Sequence, residues 1–190
     1  MSSFSPEPPE RRGGRPTDRT IFQNCWVVDD IESAALDWAR AFGVGPFFVS
    51  ELGDSITDVE YRGGPGRMHM LVALAQAGPM QIELIQPLAD GNAYRDAVPA
   101  GSGITFHHVG VWSHDFEADV EHFVSLGYPV VNRALAGGRT RFAYLDTRPL
   151  LGAMYELVDH HPAIQQRFEA IANVCAGWDG VDPLRDAADL

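Results

Sequence analysis

The sequence contains one short pattern twice, with the second copy 85 residues after the first. In each copy a β-type run ends at an aspartate and a helical pattern follows, as in IFQNCWVVDDIESAALDW and TFHHVGVWSHDFEADVEHF. Gln23 and His108 lie seven residues before Asp30 and Asp115, and an aromatic residue follows each aspartate by eight. A repeat at a fixed offset predicts two copies of one structural module.

Periodicity and turn signals predict the order βαβββ in each half. In the first half, a helix begins at Ile31, and TDVEYRG, MHMLVALAQ and MQIELIQP are predicted strands of an antiparallel meander. In the second half, the strand FHHVGVWS and the helix DFEADVEHFVSLG precede the strands YPVVNRAL, TRFAYLDT and AMYELVD. The predicted fold class is therefore α+β, with two tandem βαβββ modules.

These patterns divide the chain into three segments. Residues 1–19 are rich in Pro, Ser, Gly and Arg, and we expect them to be disordered. Residues 20–160 form the predicted domain, with module one at 20–88, a linker with one helical turn at 89–103, and module two at 104–160. Residues 161–190 form a C-terminal helix and tail. The helix is predicted over 162–176, with an apolar stripe that packs on the domain or on a partner.

Composition argues against several classes of function. The net charge of −12 and the pI near 4.8 disfavour nucleic-acid binding, which needs clustered positive charge. All fourteen basic residues are arginine, which excludes a catalytic lysine. No apolar run approaches the roughly 20 residues of a membrane-spanning helix, so we expect a cytoplasmic protein with no membrane partner. Cys25 and Cys175 are predicted to be structural thiols, since two distant cysteines suit a reducing compartment.

Four polar residues occupy matched positions in the two modules. Gln23 and His108 lie in the first strands, and Glu83 and Glu156 lie at the centres of the last strands. Residues two apart share a strand face, so Gln23 lies in an apolar row, and glutamates that face a cavity need cations or donors. One divalent ion would satisfy both carboxylates. An imidazole, an amide oxygen and two carboxylates suit Zn, Ni, Co or Mn, with positions left for a substrate.

Each of these residues also has an ordinary structural explanation. A glutamate in an edge strand is usually solvated, and a lone histidine is usually packed or at the surface. His107 is the local rival of His108, but strand alternation predicts that it points to the opposite face, towards the helix layer or solvent. Candidate pocket walls, equally well explained as core residues, are Met68, Met70, Phe142 and Tyr144.

These motifs resemble those of the vicinal oxygen chelate superfamily, which includes glyoxalase I, methylmalonyl-CoA epimerase, extradiol dioxygenases and fosfomycin- and bleomycin-resistance proteins. The likeness covers about residues 20–160 and rests on VVDDIESA, IELIQPL and GITFHHVGVWSHDFEADVEHFVSLGYPV. It implies a curved, partly closed mixed β-sheet around a metal cleft, with one ligand from each first strand and one from each last strand. In this sequence those positions are Gln23, Glu83, His108 and Glu156.

The ligand set is similar to that of certain glyoxalase I enzymes, whereas IELIQPL, GSGITFHHVGV and GAMYELV are similar to the epimerase branch. The wider sequence resembles glyoxalase-like bacterial proteins. The resemblance implies a small chelating substrate, a metal that acts as Lewis acid, and a carboxylate that removes a proton next to a carbonyl. Glu156 is the expected base and Glu83 the opposite base or return acid. We therefore expect an isomerase, epimerase or lyase, and the likeness also suggests a homodimer.

Two other functions stay open. An iron-dependent dioxygenase would need histidine where Gln23 stands, since its usual ligands are two histidines and one carboxylate. A non-catalytic small-molecule binding or sequestration protein would use the same cleft without turnover. Substrate selection is equally open: Arg141, with Arg133 and Arg139, surrounds the hairpin of module two and could hold a carboxylate or phosphate, although a solvated hairpin explains these arginines equally well.

Overall fold

The computed structural model describes residues 19–190, so most of the predicted disordered tail lies outside the described residues. The strands are β1 (Ile21–Val27), β2 (Phe47–Leu52), β3 (Ile56–Tyr61), β4 (Gly64–Pro65), β5 (Met70–Ala77), β6 (Met80–Pro87), β7 (Thr105–Ser113), β8 (Val130–Ala136), β9 (Thr140–Leu145), β10 (Met154–Asp159) and β11 (Leu184–Asp186). The helices are α1 (Ile31–Phe42), α2 (Ala93–Ala97), α3 (Phe116–Ser125), α4 (Arg148–Leu151) and α5 (Pro162–Ala176). Within residues 19–190, no helix is long and apolar enough to cross a membrane.

All the strands belong to one mixed sheet whose two halves meet at β1 and β7. The order is β11-β2-β5-β6-β1-β7-β10-β9-β8-β3-β4. β1 runs parallel to β6, β7 runs parallel to β10, and β1 and β7 are antiparallel to each other. Because the order matches from the centre outwards, the two modules are related by an approximate twofold axis. The sheet is large, curved and unclosed, which confirms the predicted α+β class.

One strand of the first half does not pair as predicted. The sequence placed TDVEYRG beside β5, but β2 is the strand that pairs with β5, with Phe48 opposite Leu74. β3 instead pairs with β8 of the second module, with Tyr61 opposite Asn132. The prediction was wrong because β2 has the buried aromatic residues that complete the first half, whereas most side chains of β3 are at least partly exposed and suit the edge of the sheet.

Helices α1 and α3 cover one face of the sheet, and α5 packs against part of the other face. The side chain of Asp30 accepts a hydrogen bond from the Ser33 N–H and caps α1, whose buried residues pack on β5 and β6. α3 packs Phe116 and Val120 on β9 and β10. Since strand side chains alternate between faces, the neighbouring residues of these strands point to the concave side.

Helix α5 has the bounds that the sequence predicted, and Gly177 follows its last residue. It packs on β5 of its own domain, Ile171 is fully buried, and the Cys175 Sγ accepts a hydrogen bond from the Gln76 N–H at 3.3 Å. The apolar stripe of α5 therefore packs on its own domain, which is one of the two predicted alternatives. β11, which follows α5, was not predicted and extends the sheet beside β2.

Candidate metal centre

The structure brings the four predicted ligands together on the concave face of the sheet. They come from the four central strands, one from each: Gln23 from β1, Glu83 from β6, His108 from β7 and Glu156 from β10. The His108 Nε2 lies 3.3 Å from the Glu83 Oε2 and 3.3 Å from the Glu156 Oε2. The parallel pairs β1–β6 and β7–β10 are what bring the first and last strands of each module side by side.

Three of the candidate ligand atoms are buried and have no hydrogen-bond partner among residues 19–190: Gln23 Oε1, Glu83 Oε2 and His108 Nε2. Gln23 and His108 are almost fully buried. An unsatisfied buried polar atom costs about 1–3 kcal/mol, and more when the group is charged. A bound cation would give all three atoms a partner, so the residues present fit a divalent ion.

Gly110 makes room for this cluster. It lies in β7 opposite Gln23 of β1 and Glu156 of β10. A Cβ at this position would lie 2.7 Å from the Gln23 Oε1 and 3.4 Å from the Glu156 Oε2. The glycine therefore lets an amide oxygen and a carboxylate approach each other across the central strand.

Gln81 orients Gln23, a role that the sequence did not reveal. Its Oε1 accepts a hydrogen bond from the Gln23 Nε2 at 2.7 Å. This contact leaves the amide oxygen of Gln23 free, and oxygen is the atom with which an amide binds a metal. The one signal in the sequence was that Gln81 shares a strand face with Glu83.

His107 lies beside His108, contrary to the prediction from strand alternation. The prediction was wrong because β7 contains a bulge: Cys25 lies opposite His108 and Trp26 lies opposite Phe106, so His107 is an extra residue. His107 is buried, and its Nδ1 lies 2.9 Å from the His108 Nδ1. The bulge therefore brings both imidazoles to the cluster.

The contacts of His107 determine which nitrogen of His108 faces the carboxylates of Glu83 and Glu156. The His107 Nε2 donates a hydrogen bond to the carbonyl of Ala93 at 3.0 Å. Burial and the charge of His108 lower the pKa of His107 to about 3, so its Nδ1 carries no proton and accepts from the His108 Nδ1. The Nε2 is then the atom that His108 can offer to a metal.

The positive charge of the cluster is carried by the protonated imidazole of His108. Burial acts against a protonated His108, but the carboxylates of Glu156 and Glu83 outweigh this effect and raise the pKa of His108 to about 9. Burial also raises the pKa of Glu83 above its ordinary value, although the neighbouring His108 opposes the shift. A divalent ion would replace the imidazole proton as the positive charge between the two carboxylates.

Cys25 also reaches the cluster, although the sequence indicated only a structural thiol. It is fully buried, and its Sγ lies within 4.8 Å of ligand atoms of Glu83 and His108. Burial, together with the charge of Glu83, raises the pKa of Cys25 well above its ordinary value. The side chain is therefore a neutral thiol, and its position beside Glu83 suits it to contact that carboxylate.

A cavity of about 370 Å³ opens from the cluster and is lined by Gln23, Glu83 and Glu156. Its walls are mainly apolar and include Leu52, Ile56, Met70, Val72, Leu74, Phe142, Val158, Ile164 and Phe168. Tyr144 also lines it, with its ring centroid 5.0 Å from that of His108. Met70, Phe142 and Tyr144 are thus placed where the sequence predicted pocket walls.

Two other predicted substrate contacts lie elsewhere. Met68 is packed in the hydrophobic core and does not line this cavity. Arg141 points to the outer face, where its Nε donates to Asp159 at 2.7 Å and its guanidinium lies 4.8 Å from the ring centroid of Phe116. The prediction for Arg141 was wrong because Phe142 and its alternate neighbours face inwards, which turns Arg141 outwards.

Comparison with known proteins gives a match to a family model and to several solved structures. The model described as the glyoxalase/bleomycin resistance protein/dioxygenase superfamily matches residues 22–144. A methylmalonyl-CoA epimerase from Mycobacterium tuberculosis is similar at 17% identity, over 76% of this chain and 90% of that chain, with a TM-score of 0.53. A hypothetical protein from Bacillus halodurans is similar at 16% identity, over 75% and 95% of the two chains, with a TM-score of 0.52.

A third similar structure is a variant of the methylmalonyl-CoA epimerase from Streptomyces coelicolor in complex with 2-nitronate-propionyl-CoA. It is 16% identical over 74% of this chain and 96% of that chain, with a TM-score of 0.50. At these identities the likeness to the solved structures shows a shared fold. The search of curated proteins gave no match.

Proposed function

The chain belongs to the glyoxalase/bleomycin resistance protein/dioxygenase superfamily, and from this membership we propose that its cleft binds one divalent metal ion and moves a proton next to a carbonyl group. The observation that carries the proposal is the buried cluster of unpartnered ligand atoms of Gln23, Glu83 and His108, with the carboxylate of Glu156 beside it. The proposed enzyme is an isomerase, epimerase or lyase that acts on a small chelating substrate.

The ion would be held by Gln23, Glu83, His108 and Glu156. Three oxygen donors and one imidazole suit Zn, Ni, Co or Mn. These four candidate ligands lack the second histidine of the site that iron-dependent dioxygenases usually have, which is built from two histidines and one carboxylate. When bound, the ion would act as a Lewis acid on the carbonyl oxygen of the substrate. The apolar walls of the cavity would exclude water from the reacting end of the substrate and so strengthen the electrostatic interactions there.

Glu156 and Glu83 are the proposed acid and base. They lie on the two sides of His108, on strands β10 and β6, and both line the cavity. Glu156 would accept the proton from the substrate carbon as a carboxylate. Burial raises the pKa of Glu83, which equips that side chain to return a proton from the other side. If the proton returns to the same carbon from this other side, the configuration of that carbon is inverted. If it returns to a neighbouring atom, the substrate is isomerised.

Elemental analysis of protein purified without a histidine tag or chelator tests the metal site. We expect about one Zn, Ni, Co or Mn per chain in the wild type and its loss in His108→Ala and Glu156→Ala. His114→Ala is the matched control, because His114 is exposed and does not line the cavity; its ring centroid lies 4.4 Å from that of His160. Iron in the wild type would favour a dioxygenase. Absence of metal after reconstitution with these ions would contradict the proposed mechanism.

Solvent exchange distinguishes a catalyst from a binding protein. The metal-loaded protein is incubated in D₂O with 2-oxohexanoate, and deuterium at the carbon next to the carbonyl is followed by NMR. Faster exchange than with metal alone, abolished by chelator, supports proton transfer at this site. Metal-dependent binding without faster exchange would instead favour the small-molecule binding function.

A further inference from the structure

We propose that the substrate carries an anionic group, a carboxylate or a phosphate, at the end remote from its chelating oxygens, and that Arg139 and Arg167 bind this group. The inference rests on the proposed function, because the chelating end of the substrate is assigned to the metal centre. Among residues 19–190, these arginines are the cationic side chains that line the cavity, and Glu83 and Glu156 are the acidic ones. The acidic side chains are largely buried, whereas both arginines are exposed, so the two charges lie at the inner and outer ends.

Three arginines of the second module that do not line the cavity are paired with carboxylates. The pairs are Arg133–Glu117 at 2.8 Å, Arg141–Asp159 at 2.7 Å and Arg148–Asp146 at 2.6 Å. Arg139 and Arg167 differ, because neither has an acidic partner within the part of the chain that the structure describes. Their guanidinium groups therefore keep their donors available to an anion in the cavity.

Arg167 occupies a position of α5 where an apolar residue is expected. Ile164, three residues earlier, and Phe168 line the cavity, and Ile171, four residues later, is fully buried. Residues three or four apart share one helix face, so the arginine interrupts the apolar stripe of α5. Because its side chain is exposed, Arg167 lies at the solvent end of the cavity, where its guanidinium can meet an anionic group of the ligand.

Arg139 reaches the cavity from the turn between β8 and β9. Gly137 and Gly138 both have positive φ, at 57° and 68°, and they form this tight turn. Gly137, Arg139 and Thr140 all line the cavity. Arg139 precedes the first residue of β9, so the strand alternation that turns Arg141 outwards does not determine its direction. Two separate elements, a hairpin turn and a helix, therefore each contribute one arginine to the same opening.

The size and walls of the cavity restrict the rest of the substrate. A volume of about 370 Å³ is near the lower end of the range for ligand sites, about 300–1,000 Å³. This space suits a compact acyl or 2-oxo compound, and the apolar walls suit a hydrocarbon segment between its polar ends. The anion is then either a carboxylate within the compound itself or a phosphate of a larger carrier that remains outside the cavity.

Calorimetric titration of the metal-loaded full chain with matched acids tests this inference. 2-Oxoglutarate and 2-oxoadipate are compared with 2-oxopentanoate and 2-oxohexanoate, which have the same lengths and chelating ends but no distal carboxylate. We expect at least one diacid to bind about fivefold more tightly than its monoacid. Arg139→Gln and Arg167→Gln should each remove most of that preference, measured as the ratio of diacid to monoacid affinity. Arg40→Gln is the control, since the Arg40 side chain is 81% exposed and pairs with Asp37 on α1.

Titration with coenzyme A alone tests whether the two arginines bind a phosphate. Binding that weakens in both arginine variants, without a preference for diacids, would support the inference and identify the anion as a phosphate. Diacids and coenzyme A that bind wild type and variants alike would overturn it. Metal-dependent binding of the monoacids would then leave the proposed function standing, whereas a chain that retains no metal would contradict the proposed function itself.

Discussion

His107 would support the proposed metal centre without being a ligand, because its Nδ1 accepts from the His108 Nδ1 and its Nε2 donates to Ala93. In His107→Phe the ring volume is kept but the acceptor is lost, so the His108 ring is free to turn and to place its proton on Nε2. We expect the affinity for Zn to fall about 10- to 100-fold, as measured by competition with a chromophoric chelator. His107→Asn, which retains an acceptor, should lose less. Equal affinities for wild type and His107→Phe would contradict this role.

The raised pKa of His108 predicts a metal affinity that depends on pH. Below its pKa of about 9 the imidazole is protonated, and a metal ion must displace that proton. Affinity should therefore rise with pH by up to about tenfold per unit and level off above about 9. Calorimetry at neutral pH in buffers of different ionisation enthalpy should show proton release on binding. An affinity that is constant between neutral pH and about 9 would show that His108 is not the group displaced.

Glu156→Gln separates metal binding from proton transfer. The amide oxygen of glutamine can still bind a metal, but an amide cannot accept the proton from carbon at neutral pH. We expect the variant to retain its metal and to lose solvent deuterium exchange by about 100-fold or more, measured by NMR. Glu83→Gln is the matched change on the other side of His108. Normal exchange in Glu156→Gln, with loss in Glu83→Gln, would reverse the proposed roles.

The sequence predicts the candidate ligands better than the residues that hold them in position. Gln23 and His108 were predicted because they occupy equivalent positions in the repeat, and Glu83 and Glu156 because they occupy matched last strands. Gln81 was not predicted, since its contact with Gln23 depends on the parallel register of β1 and β6, in which these two residues are opposite each other. Such a cross-strand contact follows from pairing, which local periodicity does not specify.

Individual strands and helices were predicted well where their pattern is local. α5 has the predicted bounds because Pro162 and Gly177 mark its ends and its apolar stripe has helical spacing. The bulge at His107 and the pairing of β3 with β8 were not predicted, because both are relations between strands distant in sequence. A bulge shifts side chains relative to simple alternation, which is why His107 was assigned to the wrong face.

Ile171 is the residue that should anchor α5 to the sheet. It is fully buried within the hydrophobic core, on the helix face that also presents Arg167 to the cavity. We expect Ile171→Ala to lower the free energy of unfolding by about 2–4 kcal/mol, measured by urea denaturation. Gln166→Ala, at an exposed position of the same helix, should change it by less than about 0.5 kcal/mol. A similar small change in Ile171→Ala would show that α5 is not anchored there.

The duplicated architecture produces one site, not two, because of how the modules meet. β1 and β7 are adjacent and antiparallel at the centre of the sheet, and each is flanked by the last strand of its own module. Equivalent positions of both modules therefore converge on one cluster. The two halves differ there, with Gln23 matched to His108, so the cluster combines one amide and one imidazole with a symmetric pair of carboxylates.

Because the proposed ligands come from both modules, metal binding should stabilise the whole domain as one unit. Neither Gln23 and Glu83 nor His108 and Glu156 complete the site alone, and the sheet is continuous across β1 and β7. A metal at 100 times its dissociation constant adds about 2.7 kcal/mol if it binds only the folded chain. We expect thermal unfolding to shift upwards with metal in a single transition, with circular dichroism and tryptophan fluorescence coincident, and the shift to disappear in His108→Ala. Two separate transitions, only one of them sensitive to metal, would mean that the site is held within one module.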